Sequence, residues 1–396
     1  MPLPFPLLHE PSGNDRRLER RFRTTGFDIT SPRPYQSEPL SRDSMRTEEP
    51  SSFLVIRRDN IGDLVCTTPL IAALRAKYPG AWIAALVNRY TAPVLDNNLD
   101  LDAVFSYQKA KHRTPGETVP GLYWQRLRML IELRRRAIDC VILASPGFQA
   151  SAERLARMVG PRHIVGFDNG SGLADKVVPA HIDHALHQVE NTFRLLQTLG
   201  IEAPPPALKL TPDPKLVEAY RDRLPGKDGP VIGVHISARE ADRRWPDARF
   251  AELITALIAE HRATVVLTWA PGPQDNPRFP GDDDNARDIA ARCGCAKLIA
   301  LPSEGLAQLI ASLAVCDYVV CSDGGPVHLA AALGKPVVCL FGSEKAELWH
   351  PWGVPYRLLQ PESRDVRSIG VVEVLAAFRS LLGGSMTAPA RLAATI

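Results

Sequence analysis

The chain has 396 residues, of which 45% are hydrophobic and 23% charged, and a formal net charge of +3. This is enough for two domains with sizeable cores, and it excludes a collagen-like or wholly disordered chain. The charge is too small to argue for a nucleic-acid partner, and no apolar run is long enough to span a membrane.

Residues 1–50 hold eight prolines, eight arginines and eight acidic residues with few aliphatics. Such a composition cannot build a core and predicts a disordered extension. It lacks the apolar stretch and small-residue cleavage site of a signal peptide. Met45, just before the first strand, is an alternative start that would leave 1–44 outside the native protein. Phe53–Arg57 reads as a buried strand. Residues 59–63 (Asp-Asn-Ile-Gly-Asp) form a turn, and Leu64–Tyr78 is a helix kinked or restarted at Pro69. Strand Trp82–Val87, short helix Thr91–Leu95, strand Ala103–Ser106, helix Trp124–Arg136, strand Asp139–Leu143, helix Ser151–Val159, strand His163–Val165 and helix Val189–Leu199 follow. Alternating strands and helices predict a parallel, doubly wound sheet.

A proline-rich stretch breaks this rhythm and reads as an interdomain linker, residues 204–230, with a short helix Leu216–Arg223 inside it. A second α/β unit starts at strand Val231–His235. Helix Asp247–Glu260 carries an apolar stripe. Strand Thr264–Trp269, loop 270–283, helix Asp284–Cys293, strand Lys297–Ala300 and helix Leu306–Ala314 lead to the segment Cys316–Gly342, a strand, glycine turn, helix and strand. Its helix is expected over Val327–Leu333 and its strands over Tyr318–Cys321 and Val337–Phe341. A last helix spans Val366–Leu382. The expected division is a disordered 1–50, a first Rossmann-like domain 51–203, the linker 204–230, a second domain 231–365, a terminal helix 366–383 and a loose tail 384–396. Two such halves put a cleft between them, a common place for a ligand.

Chemistry-bearing residues collect at the ends of strands. Asp63 reads either as a helix N-cap or as a general base projecting into the cleft. Arg239, Arg243 and Arg244 share one loop, read either as a diphosphate clamp, for which the guanidinium fork is suited, or as a solvated charged loop. Asp323 could bond sugar hydroxyls. Gly324 and Gly325 open a helix whose bare N–H groups and dipole favour phosphate, or they serve only tight packing. His328, one turn further, reads as a packed residue or a ligand contact. The basic segment 109–136, with Lys109, Lys111 and Arg113 at its start, suits an anionic acceptor or an acidic membrane surface, or is a solvated helix face. His184 and His187 stand at i, i+3, but no glutamate sits where a metalloprotease helix places its base, so no metal is assigned. The cysteines are scattered, and Cys293-Gly-Cys295 lacks the two-residue spacer of a zinc knuckle; a reducing cytoplasm is the simple inference. A nicotinamide-dependent oxidoreductase would need G-x-G-x-x-G after the first strand, and the turn here has one glycine.

Ile61-Gly62-Asp63, then Thr67-Thr68-Pro69-Leu70 and Tyr78-Pro79, resemble the opening of glycosyltransferase family 9, the ADP-heptose:lipopolysaccharide heptosyltransferases. Arg244-Trp245-Pro246 before a helix, and Asp323-x-Gly-Pro-x-His328 followed by Phe341-Gly342, resemble its C-terminal signature. The resemblance spans about residues 53–382. It implies a GT-B fold: two Rossmann-like, doubly wound parallel-sheet domains facing a cleft, with the last helix crossing back to the first domain. It implies metal-independent, inverting sugar transfer without a cofactor, from a nucleotide sugar such as ADP-heptose to an anionic glycolipid acceptor. The setting it implies is cytoplasmic, with a peripheral contact at the inner-membrane surface and no nucleic acid.

The resemblance assigns Asp63 as the base that deprotonates the acceptor hydroxyl. Arg243 stands where the family often has a lysine on the donor phosphates, with Arg244 beside it. Asp323 holds the donor sugar, Gly324 and Gly325 form the diphosphate cradle, His328 closes the motif, and Asp284 is assigned as the acidic nucleoside-binding residue. Gly324 departs from the usual threonine or serine. The alternative is a non-catalytic sugar-nucleotide or glycan-binding protein on the same scaffold.

Overall fold

The structure, a computed structural model, describes residues 49–384 apart from 109–115, 146–148, 169, 171, 180–182, 227, 277–279 and 343–344. Lys109, Lys111 and Arg113, Met45 and most of the two terminal extensions lie outside the described residues. The first half runs β1 (Ser52–Ile56), α1 (Ile61–Val65), α2 (Thr68–Lys77), β2 (Trp82–Asn88), β3 (Ala103–Tyr107), α3 (Val119–Arg135), β4 (Cys140–Leu143), α4 (Ala150–Val159), β5 (His163–Asp168), β6 (Lys176–Pro179) and α5 (Gln188–Phe193). The second runs α6 (Pro214–Arg221), β7 (Val231–His235), α7 (Asp247–His261), β8 (Thr264–Trp269), α8 (Asp283–Cys293), β9 (Leu298–Pro302), α9 (Leu306–Ala314), β10 (Tyr318–Ser322), α10 (Gly325–Ala332), β11 (Val337–Leu340), α11 (Ala346–Trp349), β12 (Tyr356–Leu359) and α12 (Val371–Gly383).

Among the described residues there are two six-stranded sheets, ordered β3-β2-β1-β4-β5-β6 and β12-β11-β10-β7-β8-β9. Every pairing is parallel. Both sheets therefore have the same doubly wound order, reversing between β1 and β4 in one and between β7 and β10 in the other. That reversal splits the flanking connections to opposite faces and opens a crevice at the carboxyl end of the strands. The non-edge strands β1, β4, β7, β8 and β11 are buried at every position, as their largely apolar runs require when helices cover both faces.

The sequence misses β6, α11 and β12. Both strands are four-residue sheet edges with exposed or half-buried positions, such as Val177 at 48% exposure, so their hydrophobic signal is weak. Helix Leu64–Tyr78 is two helices, and Pro69 lies in the first turn of the second, where its missing N–H costs nothing. The final helix starts at Val371, because Val366–Ser368 is a separate 3₁₀ turn capped by Asp365. Its packing also corrects an expectation. Val374, Leu375, Phe378 and Leu381 are buried in one cluster with Ile232, Phe250 and Leu340, and α12 lies on α7, β11 and β12 of the second domain. Over the described residues its apolar face is filled by its own domain, where a helix crossing back to the first was expected.

The two halves meet through α1 and α10, the helices that follow the innermost strands. Leu64, Val65 and Cys66 belong to the same apolar cluster as Val327, Leu329 and Phe341. A second contact sits at the start of α5. His187 caps that helix, its Nδ1 accepting from Val189 N at 3.1 Å, while its Nε2 donates to His350 O at 2.8 Å and its ring stacks on Trp352.

Candidate active site

The corner between β1 and α1 is built around a buried arginine. Arg57 is 1% exposed at the carboxyl end of β1. Its Nη1 donates to Ala144 O at the end of β4, its Nη2 donates to Asp63 Oδ1, and its Nε lies 3.0 Å from Asp59 Oδ2. Asp59 in turn accepts from Ser145 Oγ at 2.8 Å and from Gln149 Nε2. The network thus spans the topological switch point between β1 and β4. Asp63 is the third residue of α1 rather than its cap; Asn60 holds the cap position, and Asp63 Oδ2 accepts from Asn60 N at 3.0 Å and Nδ2 at 3.2 Å. Three donors fix the carboxylate and leave it one of its four lone-pair sites for a further proton. The next residue, Arg58, donates from Nε to Tyr107 Oη and lies over that ring.

The matching corner of the second sheet follows β10. Asp323 is 9% exposed and pairs with Arg243 Nη1 at 3.2 Å across the β7–β10 switch point. Burial raises the Asp323 carboxyl pKa and Arg243 pulls it back. Arg243 Nε and Ser322 Oγ are buried without a hydrogen-bond partner among the described residues. The loop carrying Arg243 is fixed by Trp245, whose Nε1 donates to Ile369 O at 2.9 Å and whose ring meets Phe250 edge-on. Arg244 donates to Ala238 O at 2.9 Å and lies 3.9 Å from Asp282. Gly324 and Gly325 are partly exposed at the start of α10.

Asp284 does not join this group. Its side chain is 70% exposed and pairs with Arg287 on the surface of α8. Asp282 is the buried acid of that loop, 3% exposed, with Oδ2 unpartnered among the described residues. Asp283 accepts from Trp269 Nε1 at 2.7 Å and Gly272 N at 2.9 Å, which holds its carboxyl below the usual range. Three adjacent aspartates look alike in a sequence, and the helix phase that separates them depends on where α8 begins.

The two corners touch. A Cβ on Gly62 would come within 2.5 Å of His328 Cδ2, and one on Gly325 within 3.3 Å of Ile61. His328 is 3% exposed, near Cys66 Sγ and edge-on to Trp349, so its visible contacts are those of seam packing. Tyr90 of the first domain feels Arg239 of the second, which opposes the rise in its phenol pKa caused by burial. Gly62→Ala is expected to destabilise the protein by about 1–3 kcal/mol, because the added methyl would overlap the ring of His328, which is buried against Cys66 and Trp349. Denaturant unfolding checks it, and Gly62→Ala with His328→Ala should recover part of the loss.

The family model described as Glycosyltransferase family 9 (heptosyltransferase) matches residues 126–365. The chain belongs to glycosyltransferase family 9. As a family member it is a glycosyltransferase. The β1–α1 corner with Asp63 lies ahead of the matched stretch. The Escherichia coli protein named lipopolysaccharide heptosyltransferase 3 is 25% identical over 301 residues, covering 74% of this chain and 83% of that protein. Lipopolysaccharide heptosyltransferase 1 of Escherichia coli K12 is 24% identical, covering 83% of this chain and 99% of that protein. Among solved structures, the family 9 glycosyltransferase from Veillonella parvula matches with a TM-score of 0.72 at 17% identity, covering 84% of this chain and 97% of that one. The E. coli heptosyltransferase WaaC with ADP matches at 0.68 and 20%, covering 83% and 99%. These likenesses establish the GT-B type of fold: two parallel-sheet domains with their carboxyl edges turned to one seam.

Three buried histidines are expected to make the stability of the fold depend on pH. Burial pushes the imidazoles of His328 and His235 down to about 4 and that of His187 to about 3. Unfolded, each would titrate near 6.5. Between these values the unfolded state binds more protons, so stability falls as pH falls from about 6.5 to 4, and to about 3 for His187, and is flat above that window for these groups. A drop in thermal midpoint over that range, smaller in His328→Gln, is the expected outcome of a melt series.

Proposed function

We propose that this glycosyltransferase moves a heptose from ADP-heptose to an acceptor of the lipopolysaccharide core, inverting the anomeric centre without a metal ion. The observation that carries this reading is the meeting of two switch-point corners. One presents a carboxylate, Asp63, and the other presents Arg243, Asp323 and the start of α10. The relatives whose names carry lipopolysaccharide and heptose support the substrate class.

In this reading Asp63 takes the proton of the acceptor hydroxyl as it attacks the anomeric carbon. Negative charge grows on the leaving diphosphate. Arg243, Arg244 and the open N–H groups of α10 offset it, which is electrostatic stabilisation supplied by fixed groups. Asp323 orients sugar hydroxyls while sharing Arg243 with the phosphate. Asp282, rather than Asp284, faces the nucleoside. Lys109, Lys111 and Arg113 remain proposed contacts for the anionic acceptor.

The test is ADP release from ADP-heptose with a lipid A–Kdo acceptor in EDTA, followed by the anomeric coupling of the product. Acceptor-dependent release that survives EDTA and yields the inverted anomer is expected. Release lost in EDTA, or a retained anomer, would overturn the mechanism. Donor binding without release under any acceptor would favour a binding protein on this scaffold.

A further inference from the structure

Helix α3 carries apolar residues on its solvent side as well as on its buried side. Leu122, Met129 and Leu133 are buried against the domain. At 100° per residue they fall within an arc of about 40°. Tyr123, Trp124, Leu127 and Ile131 are 59%, 60%, 47% and 39% exposed, and they fall on the far side within an arc of about 100°. A surface helix normally shows water a polar face there. Nearly half of the large hydrophobic side chains exposed among the described residues lie on this one helix.

The charge around that face is mainly positive. Arg128, Arg134 and Arg135 are exposed beside it, and Glu132 is the single acidic residue of α3. A basic helix face with exposed aromatic and aliphatic side chains fits a bilayer interface carrying anionic headgroups. A second copy of the chain fits poorly, because a two-fold contact through α3 would set the same arginines against each other.

We propose that the α3 face formed by Tyr123, Trp124, Leu127 and Ile131, ringed by Arg128, Arg134 and Arg135, docks the protein on an anionic phospholipid bilayer. Its position gives the docking a use. Arg126 on the same helix lies 5.2 Å from the Tyr107 ring centroid, Tyr107 binds Arg58, and the neighbouring Arg57 holds Asp63. A bilayer against α3 would keep a lipid-anchored sugar close to the β1–α1 corner. That use rests on the acceptor proposed above; the docking itself does not.

The experiment is flotation with vesicles of phosphatidylethanolamine and phosphatidylglycerol, compared with phosphatidylcholine alone. The wild type should float with the anionic vesicles, release in high salt, and stay behind with the neutral ones. Two exposed-face variants, Trp124→Ser/Leu127→Ser/Ile131→Ser and Arg128→Glu/Arg134→Glu/Arg135→Glu, should each lower the bound fraction about tenfold or more. Transfer to a deacylated, water-soluble acceptor should be unchanged in both. Flotation of either variant like the wild type, or a wild type that ignores anionic vesicles, would overturn the proposal. So would a light-scattering dimer that the apolar variant turns into a monomer without any change in flotation. Flotation without any sugar transfer would sink the proposed function and leave the docking surface standing.

Discussion

Asp63→Asn is expected to lower kcat by about 10²–10⁴-fold, the usual contribution of a positioned base, with little change in the donor KM. The substitution keeps the shape of the side chain and one carbonyl oxygen. The amide can still accept from either Arg57 Nη2 or the Asn60 donors, so the start of α1 should hold. What is lost is the charge and the lone pair that would receive the acceptor proton. A fall in kcat at nearly constant KM separates that role from a packing role, because a loosened seam would weaken donor binding as well. Stopped ADP release with an unshifted thermal midpoint is the expected pair of readings. If kcat falls less than about tenfold while the melt is unchanged, Asp63 is only a helix-start residue and the base lies elsewhere.

The placing of Asp63 at the end of the first strand is legible in the sequence because it is local: a carboxylate three residues past Asn60, after an apolar strand. The second corner is legible for the same reason, since Asp323 to His328 follow β10 without a break. What supports Asp63 is not local. Arg57 reaches Ala144, and Asp59 reaches Ser145 and Gln149, partners 86 to 90 residues further along the chain. They become neighbours only because β4 lies beside β1 in the sheet. A sequence shows Arg57 as one more charge at a strand end, and its burial follows from a strand order that alternation alone leaves open. The Arg243–Asp323 pair is hidden in the same way, its members lying on connections from β7 and β10. His328 is the intermediate case: the sequence leaves it open between a packed residue and a ligand contact, and its neighbours Gly62, Cys66 and Trp349 are packing partners at the seam.

The local and non-local layers meet in Arg57, and its removal is expected to be the most damaging single change to the first domain. Arg57→Ala deletes a cation that faces two carboxylates and the end of β4 at once. Breaking a buried ion pair by removing one partner costs about 3–5 kcal/mol. Asp59 and Asp63 keep 20% and 14% side-chain exposure, so water recovers part of their solvation and the lower half of that range is expected. Arg57→Lys should recover charge but not the fork, since an ammonium cannot serve Asp59, Asp63 and Ala144 O in the same directions. Its stability should lie between the two. Activity should fall further than stability predicts if Asp63 is the base proposed above, because its carboxylate is aimed by the guanidinium. The decisive comparison is the cycle of Arg57→Ala, Asp59→Asn and the double variant in denaturant unfolding. A strongly non-additive cycle, with Asp59→Asn relieving the Arg57→Ala loss by about 1 kcal/mol or more, is the signature of a shared network. An additive cycle would mean that Arg57 and Asp59 do not stabilise each other. The frame around Asp63 would then rest on its own bonds to Arg57 Nη2 and to Asn60.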